Sequence, residues 1–189
     1  MPFRRKAAKP PKRKNPEREK LMNRFNIVKY TAFSLEILLC FILQSIPAFT
    51  LEIFGGRPVL MLPIALTIAI FEGEIPSITF GVAAGLLADS GYSGPVGYYA
   101  IMLAISCYVI SILMENYIRT NLLTAVIIGI VSIPVIIVGQ FFFFYVLMGY
   151  GNELNYFLSH YLSRIIYTFA FIPVFYGINR FIASKTTQE

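Results

Sequence analysis

The chain has 189 residues, 57% of them hydrophobic and only 14% charged, with a mean hydropathy of +0.67. A soluble domain of that composition lacks the polar surface to stay dispersed, so the sequence reads as an integral membrane protein. The formal charge of +6 is divided unevenly: residues 1–29 hold eleven Lys or Arg against two Glu, and the remainder holds five basic against eight acidic residues, so a basic tail precedes a slightly acidic membrane body.

The stretch FRRKAAKPPKRKNPEREK, with Pro2 before it and Pro10, Pro11 and Pro16 inside it, has almost no apolar content and dense like charge. Such a segment cannot bury enough surface to fold, so residues 1–29 are expected to form a disordered cytoplasmic tail. Its basic region is far too long for a secretory signal, and the first apolar run ends without a small-residue cleavage site; it is read as a retained anchor. Apolar runs bounded by Gly, Pro or charge then place spans near 30–49, 58–71, 75–90, 96–114, 121–148 and 154–179. The expected architecture is an all-α, six-helix transmembrane bundle over residues 30–182, followed by a cytoplasmic C-terminus at 183–189. The second and third runs fall short of the roughly 20 residues that cross the hydrocarbon core and carry Pro58, Pro63 and Pro76. They are either tilted helices or a re-entrant hairpin buried by the others.

With six passages both termini share one side. That side then receives fourteen of the sixteen basic residues, against Arg57 alone on the other, with Arg164 inside a span. The excess places both termini in the cytoplasm, with loops near 51–57, 90–96 and 149–153 outside.

Residues 71–101, FEGEIPSITFGVAAGLLADSGYSGPVGYYAI, depart most from generic membrane sequence. Gly73, Ser77, Gly81, Gly85 and Asp89 recur at intervals of four. On a helix they form one ridge of small residues, widened by Ala84 and Ala88, along which another helix backbone can approach closely. The ridge serves either packing within the chain or reception of a partner helix or ligand. Asp89 at its outer end either caps the turn through N–H groups such as that of Gly91, or contacts an ion, a partner or a substrate. Gly94 and Gly97 shape the turn into the next span. Glu72 and Glu74 sit at the cytoplasmic end, where a helix N-terminus favours anions. Within the spans, Glu36 lies about 10 Å past Lys29, and Arg164 about 15 Å past Leu154, at 1.5 Å per residue. They either pair inside the bundle or snorkel to their nearer interfaces.

Other signals exclude chemistry. Cys40 and Cys107 have no CxxC or Cys/His spacing, and His160, the sole histidine, has no HExxH or Cys partner; neither a disulfide framework nor a metal site is suggested, and no cofactor is implied. No GxSxG, P-loop or GxGxxG pattern occurs. The run Phe141–Phe144 followed by Tyr145 covers every helical direction and reads as lipid contact. The tail lacks the interleaved aromatics of a nucleic-acid binder, and attraction to anionic lipid, at about 1 kcal/mol per basic residue, explains its charge better.

Glu72-Gly73-Glu74, the spaced Gly81 and Gly85, the run Gly85-Leu86-Leu87-Ala88-Asp89, and Gly94-x-x-Gly97-Tyr98 leading into a helix with Ala100 together resemble the MreD family of rod shape-determining membrane proteins. Ser77 stands where many relatives would carry glycine, and the long basic tail is an addition to the family pattern. The resemblance implies a non-enzymatic component of the bacterial cell-elongation machinery in the cytoplasmic membrane. Its implied partners are MreC, RodA with a class B penicillin-binding protein, and, directly or indirectly, MreB. Gly81, Gly85 and Asp89 would form the packing or partner surface. The alternative is a vitamin-binding subunit of an energy-coupling-factor transporter, a six-helix class to which MreD proteins look similar in fold.

Overall fold

A computed structural model describes residues 16–46, 57–91, 97–143 and 161–186, with side chains described within residues 25–185. All regular structure among the described residues is helical: α1 Pro16–Ser45, α2 Met61–Phe71, α3 Glu74–Ser90, α4 Tyr98–Asn116, α5 Leu122–Phe141, α6 Leu162–Ala170 and α7 Ile172–Thr186. Four stretches, Phe25–Ser45, Tyr98–Asn116, Leu122–Phe141 and Leu162–Lys185, are long and apolar enough to cross a membrane. The last of them contains both α6 and α7. The protein is a multi-pass helical membrane protein.

The first helix begins at Pro16, inside the segment expected as a tail. Proline suits the first helical position because its missing N–H has no intrahelical partner there. Further along, Phe33, Glu36, Ile37 and Cys40 are buried, whereas Leu35, Leu38, Leu39 and Ile42 are exposed and face the surroundings of the bundle. This is the i, i+3, i+4, i+7 stripe of a helix packed on one side only.

At the centre stands α2. Its 11 residues span only about 16 Å, too short for a hydrocarbon core of about 30 Å. Every residue from Met61 to Ile70 is buried. A helix that is apolar all round is stable only when enclosed, and α1, α3, α4, α5 and α7 all pack on this one. Two N–H groups at its entrance are met by side chains from other helices. Leu60 N–H donates to Gln44 Oε1 at 2.9 Å and Val59 N–H to Thr168 Oγ1 at 3.1 Å. The short element is enclosed by the other helices.

The final span, expected as one run over 154–179, is described from Tyr161 and is interrupted at Phe171. Pro173 has no N–H to offer the carbonyl of Phe169 and disfavours helical geometry at the residue before it, so the helix breaks and restarts. Ile172, at the restart, packs onto Gly129 of α5, where a Cβ would lie 1.8 Å from Ile172 Cδ1.

Polar contacts sort the helix ends into two groups. Lys29, Glu72 and Ser111 meet at one end. Asp89, Gly97, Tyr99, Gln140 and Arg164 meet at the other. The helices from α1 to α6 therefore run alternately up and down, and α7 continues in the direction of α6.

Candidate functional site

Among the described helices the most extensive contact is α3 against α4, and small residues make it possible. Ser77, Gly81, Ala84, Gly85, Ala88 and Asp89 are the buried residues of α3. A Cβ on Gly85 would stand 2.3 Å from Ala100 Cα and 2.6 Å from Ala100 N, so the two backbones touch. At Gly81 a Cβ would meet Cys107 Sγ at 3.0 Å and Leu103 O at 3.1 Å. In lipid, where apolar side chains gain little by meeting each other, such close backbone approach is the main source of helix association.

Asp89 closes the end of this hairpin at which α4 begins. Its Oδ2 accepts from Gly97 N–H at 2.9 Å and Ala100 N–H at 3.2 Å, and its Oδ1 accepts from Tyr99 N–H at 3.0 Å. A carboxylate from one helix thus satisfies the free N–H groups that open the next, and its charge opposes the positive end of the α4 dipole. The side chain is only 4% exposed. Gly97 holds the left-handed backbone, φ 110°, that turns its N–H toward the carboxylate. No neighbour lies within 4 Å of a Cβ there, so glycine is needed for conformation and not for space.

Beside this cap, Tyr99 is fully buried and its hydroxyl donates to Gln140 Oε1, which also accepts from Arg164 Nη1 at 3.3 Å. Tyr98 Oη donates to Ile136 O at 2.9 Å and lies over Gly139, where a Cβ would be 2.5 Å from it. The start of α4 is thereby tied to α5 and α6. At the opposite end Lys29 Nζ lies 2.5 Å from Glu72 Oε1 in an ion pair. Burial raises the Glu72 carboxyl above its ordinary pKa, and the Lys29 ammonium partly offsets that rise. Glu72 O accepts from Ser77 Oγ at 3.1 Å and Ser111 Oγ at 2.9 Å, joining both helices of the hairpin to the α2–α3 junction. Among the described residues no group of three or more His, Cys, Asp or Glu is placed to hold a metal.

Residues 23–182 match the family model of the rod shape-determining protein MreD. The chain belongs to the MreD family. Comparison with curated proteins and with solved structures finds no match. The MreD match takes in all the described helices apart from the start of α1 and the end of α7, so the hairpin and its cap lie wholly within the family domain. This MreD protein is accordingly a rod shape-determining membrane protein.

Several sequence expectations for this MreD chain are corrected by the geometry. Gly73 is not on the ridge: α3 starts at Glu74, and a Cβ at Gly73 would meet nothing within 4 Å. The N–H groups that Asp89 caps are those of α4; Gly91 N–H instead donates to Ala88 O at 3.1 Å. Glu36 and Arg164 are not brought together, because Arg164 sits with Gln140 at the Asp89 end of the bundle while Glu36 lies further along α1 from that end. Glu36 does not snorkel either, since both its carboxylate oxygens are buried. Gly94 and His160 lie outside the described residues, as do the loop at 149–153 and most of those at 51–57 and 90–96.

Tyr99, Gln140 and Ser111 escaped the sequence reading, and Tyr98 entered it only as a motif residue with no contact assigned. The usable signal was a lone polar group inside an apolar run, as at Gln140, because such a group must find a partner inside the bundle.

The contrast between two glycines gives a direct check. Gly73→Ala is expected to change stability by no more than about 0.5 kcal/mol, whereas Gly81→Ala, pressed against Cys107 and the Leu103 carbonyl, should cost about 1–3 kcal/mol. Thermal melts of the two purified variants in one detergent measure the difference, and equal midpoints would remove Gly81 from the packing surface.

Proposed function

We propose that this protein is a non-enzymatic scaffold of the bacterial cell-elongation machinery in the cytoplasmic membrane. It helps to assemble MreC with RodA and its class B penicillin-binding protein, and through them communicates with MreB. The observation that carries the reading is the match of residues 23–182 to the MreD model. The geometry supports it through a preorganised α3–α4 unit, whose close backbone contact, capped turn and ties to α5 and α6 give a stiff body on which other membrane helices can assemble. Both termini are assigned to the cytoplasm, in keeping with the positive-inside bias of the tail. In that orientation the basic residues of the tail meet the anionic inner leaflet, each contributing about 1 kcal/mol.

Copurification from a rod-shaped host tests the proposal. Mild detergent extraction of the tagged full chain should recover MreC, RodA and the penicillin-binding protein together. Recovery of ATPase subunits and a tightly bound vitamin in their place would transfer the protein to the transporter class.

A further inference from the structure

The seam between α1, α2 and α7 contains polar groups that the cap and the ion pair do not use. Both carboxylate oxygens of Glu36 are buried without a hydrogen-bond partner, and so is Asn179 Oδ1. Glu36 is 9% exposed and Asn179 0%. The other end of the Asn179 amide is engaged, with Nδ2 donating to Thr67 Oγ1 at 2.8 Å. The Thr67 hydroxyl in turn turns back on its own helix, toward Pro63 O at 2.7 Å and Ile64 O at 2.9 Å. It therefore has no proton left for Glu36.

Contacts on the two sides of Glu36 fix its depth. Lys29 meets Glu72, and Gln44 meets the backbone of Leu60, so α1 and α2 run in opposite directions with a known offset. Glu36 lies midway between Lys29 and Gln44, and the midpoint between Glu72 and Leu60 on α2 falls beside Thr67. Asn179 is bonded to that same Thr67, and α1 packs on α7 as well as on α2. Glu36 and Asn179 thus occupy one level of the bundle on adjoining helices. As an ion, Glu36 would add a buried negative charge to a site whose other open group is also an acceptor, an arrangement that burial makes strongly unfavourable.

Among the described residues, no cation on the neighbouring elements answers that charge. Lys29, on α1 itself, is engaged with Glu72 at the end of α2. On α3, Glu74 is exposed and Asp89 is occupied by the N–H groups of α4. On α7, Arg180 and Lys185 are exposed, and Tyr176 is buried as a ring against Phe71. Cys40, one turn along α1, is a buried thiol.

We propose that Glu36 is a proton-binding site within the membrane. In the folded bundle it is a neutral carboxylic acid whose O–H donates to Asn179 Oδ1, latching α1 to α7. One proton removes the buried charge and supplies the donor that Asn179 lacks, and it needs no cavity. When the acid ionises the latch is lost, so α1, which carries the basic tail, is held on the bundle in a proton-dependent way. Because the proton is bound in the native state and released in the unfolded chain once pH exceeds the ordinary carboxylate range, stability should fall as pH rises.

Infrared difference spectroscopy on the full-length protein in lipid nanodiscs, wild type against Glu36→Gln at neutral pH, is the decisive test. The wild type is expected to show the carbonyl stretch of a protonated carboxylic acid, and the variant to lack it. Carboxylate bands alone at Glu36 would overturn the proposal. Melting midpoints add a second readout. The wild-type midpoint should drop by several degrees from mildly acidic to mildly alkaline buffer, whereas Glu36→Gln should not follow, because its amide N–H donates to Asn179 at every pH. Asn179→Leu should shrink the difference between the two, because the hydrogen bond is lost while the carboxyl stays buried. Parallel pH profiles for wild type and Glu36→Gln would overturn the latch. A Glu36-dependent rise in midpoint on exchanging potassium for sodium at fixed pH would also overturn it, by assigning the site to a metal cation.

Discussion

Gly85→Leu is expected to yield no correctly packed bundle. The clash is with backbone: the first side-chain carbon alone would sit 2.3 Å from Ala100 Cα and 2.7 Å from Tyr99 C, where ordinary carbon contacts need about 3.5–4.0 Å. No rotamer relieves a Cβ contact, so α3 and α4 must separate by about 1 Å even for alanine. Separation would also stretch the three hydrogen bonds from the start of α4 to Asp89. Gly85→Ala should therefore cost about 3 kcal/mol, the upper part of the range for overpacked sites. Size-exclusion profiles and melting midpoints of the detergent-solubilised variants test this, together with restoration of rod shape in a depleted host. A monodisperse Gly85→Leu protein melting like wild type would show that the α3–α4 contact is not as close as described.

Asp89→Ala has the second large expected effect. It leaves the N–H groups of Gly97, Tyr99 and Ala100 without their acceptor in a buried place, and removes the charge that faces the α4 dipole. Each orphaned donor costs about 1–3 kcal/mol, and relaxation of the turn recovers part of the total, so a loss of about 3–5 kcal/mol is expected. Asp89→Asn should fall between wild type and alanine: one amide oxygen still accepts, but its NH2 group faces a donor. Because Asp89 is enclosed by the chain itself, loss of partner recovery in these variants should follow loss of folding. If Asp89→Ala abolished partner recovery while its melting midpoint stayed at the wild-type value, the carboxylate would be a partner contact and the capping role would be minor.

These two residues were legible in the sequence because their spacing carries the information. Four-residue intervals between Gly81, Gly85 and Asp89 place them on one helix face, and only small residues permit backbones to meet there. The same rule overreached at Gly73, since periodicity alone does not mark where a helix begins, and α3 begins one residue later. The partner helix was also beyond it. A small-residue ridge is equally suited to a neighbour in the same chain and to another protein, and only the fold shows that α4 occupies it.

The membrane character, the succession of apolar runs and the small-residue face of α3 were determined by the sequence itself, because they depend on composition and on the helical repeat. Only the tertiary structure decided which polar groups meet. Asp89 reaches across to α4, Gln140 receives Tyr99 and Arg164, Lys29 meets Glu72, and Asn179 reaches Thr67. Such pairings join residues as many as 112 positions apart and depend on the depth and rotation at which helices pack. Local periodicity does not encode those quantities. For the same reason the sequence showed Glu36 as a charge within a span, and the fold alone showed that both its carboxylate oxygens are buried without a hydrogen-bond partner.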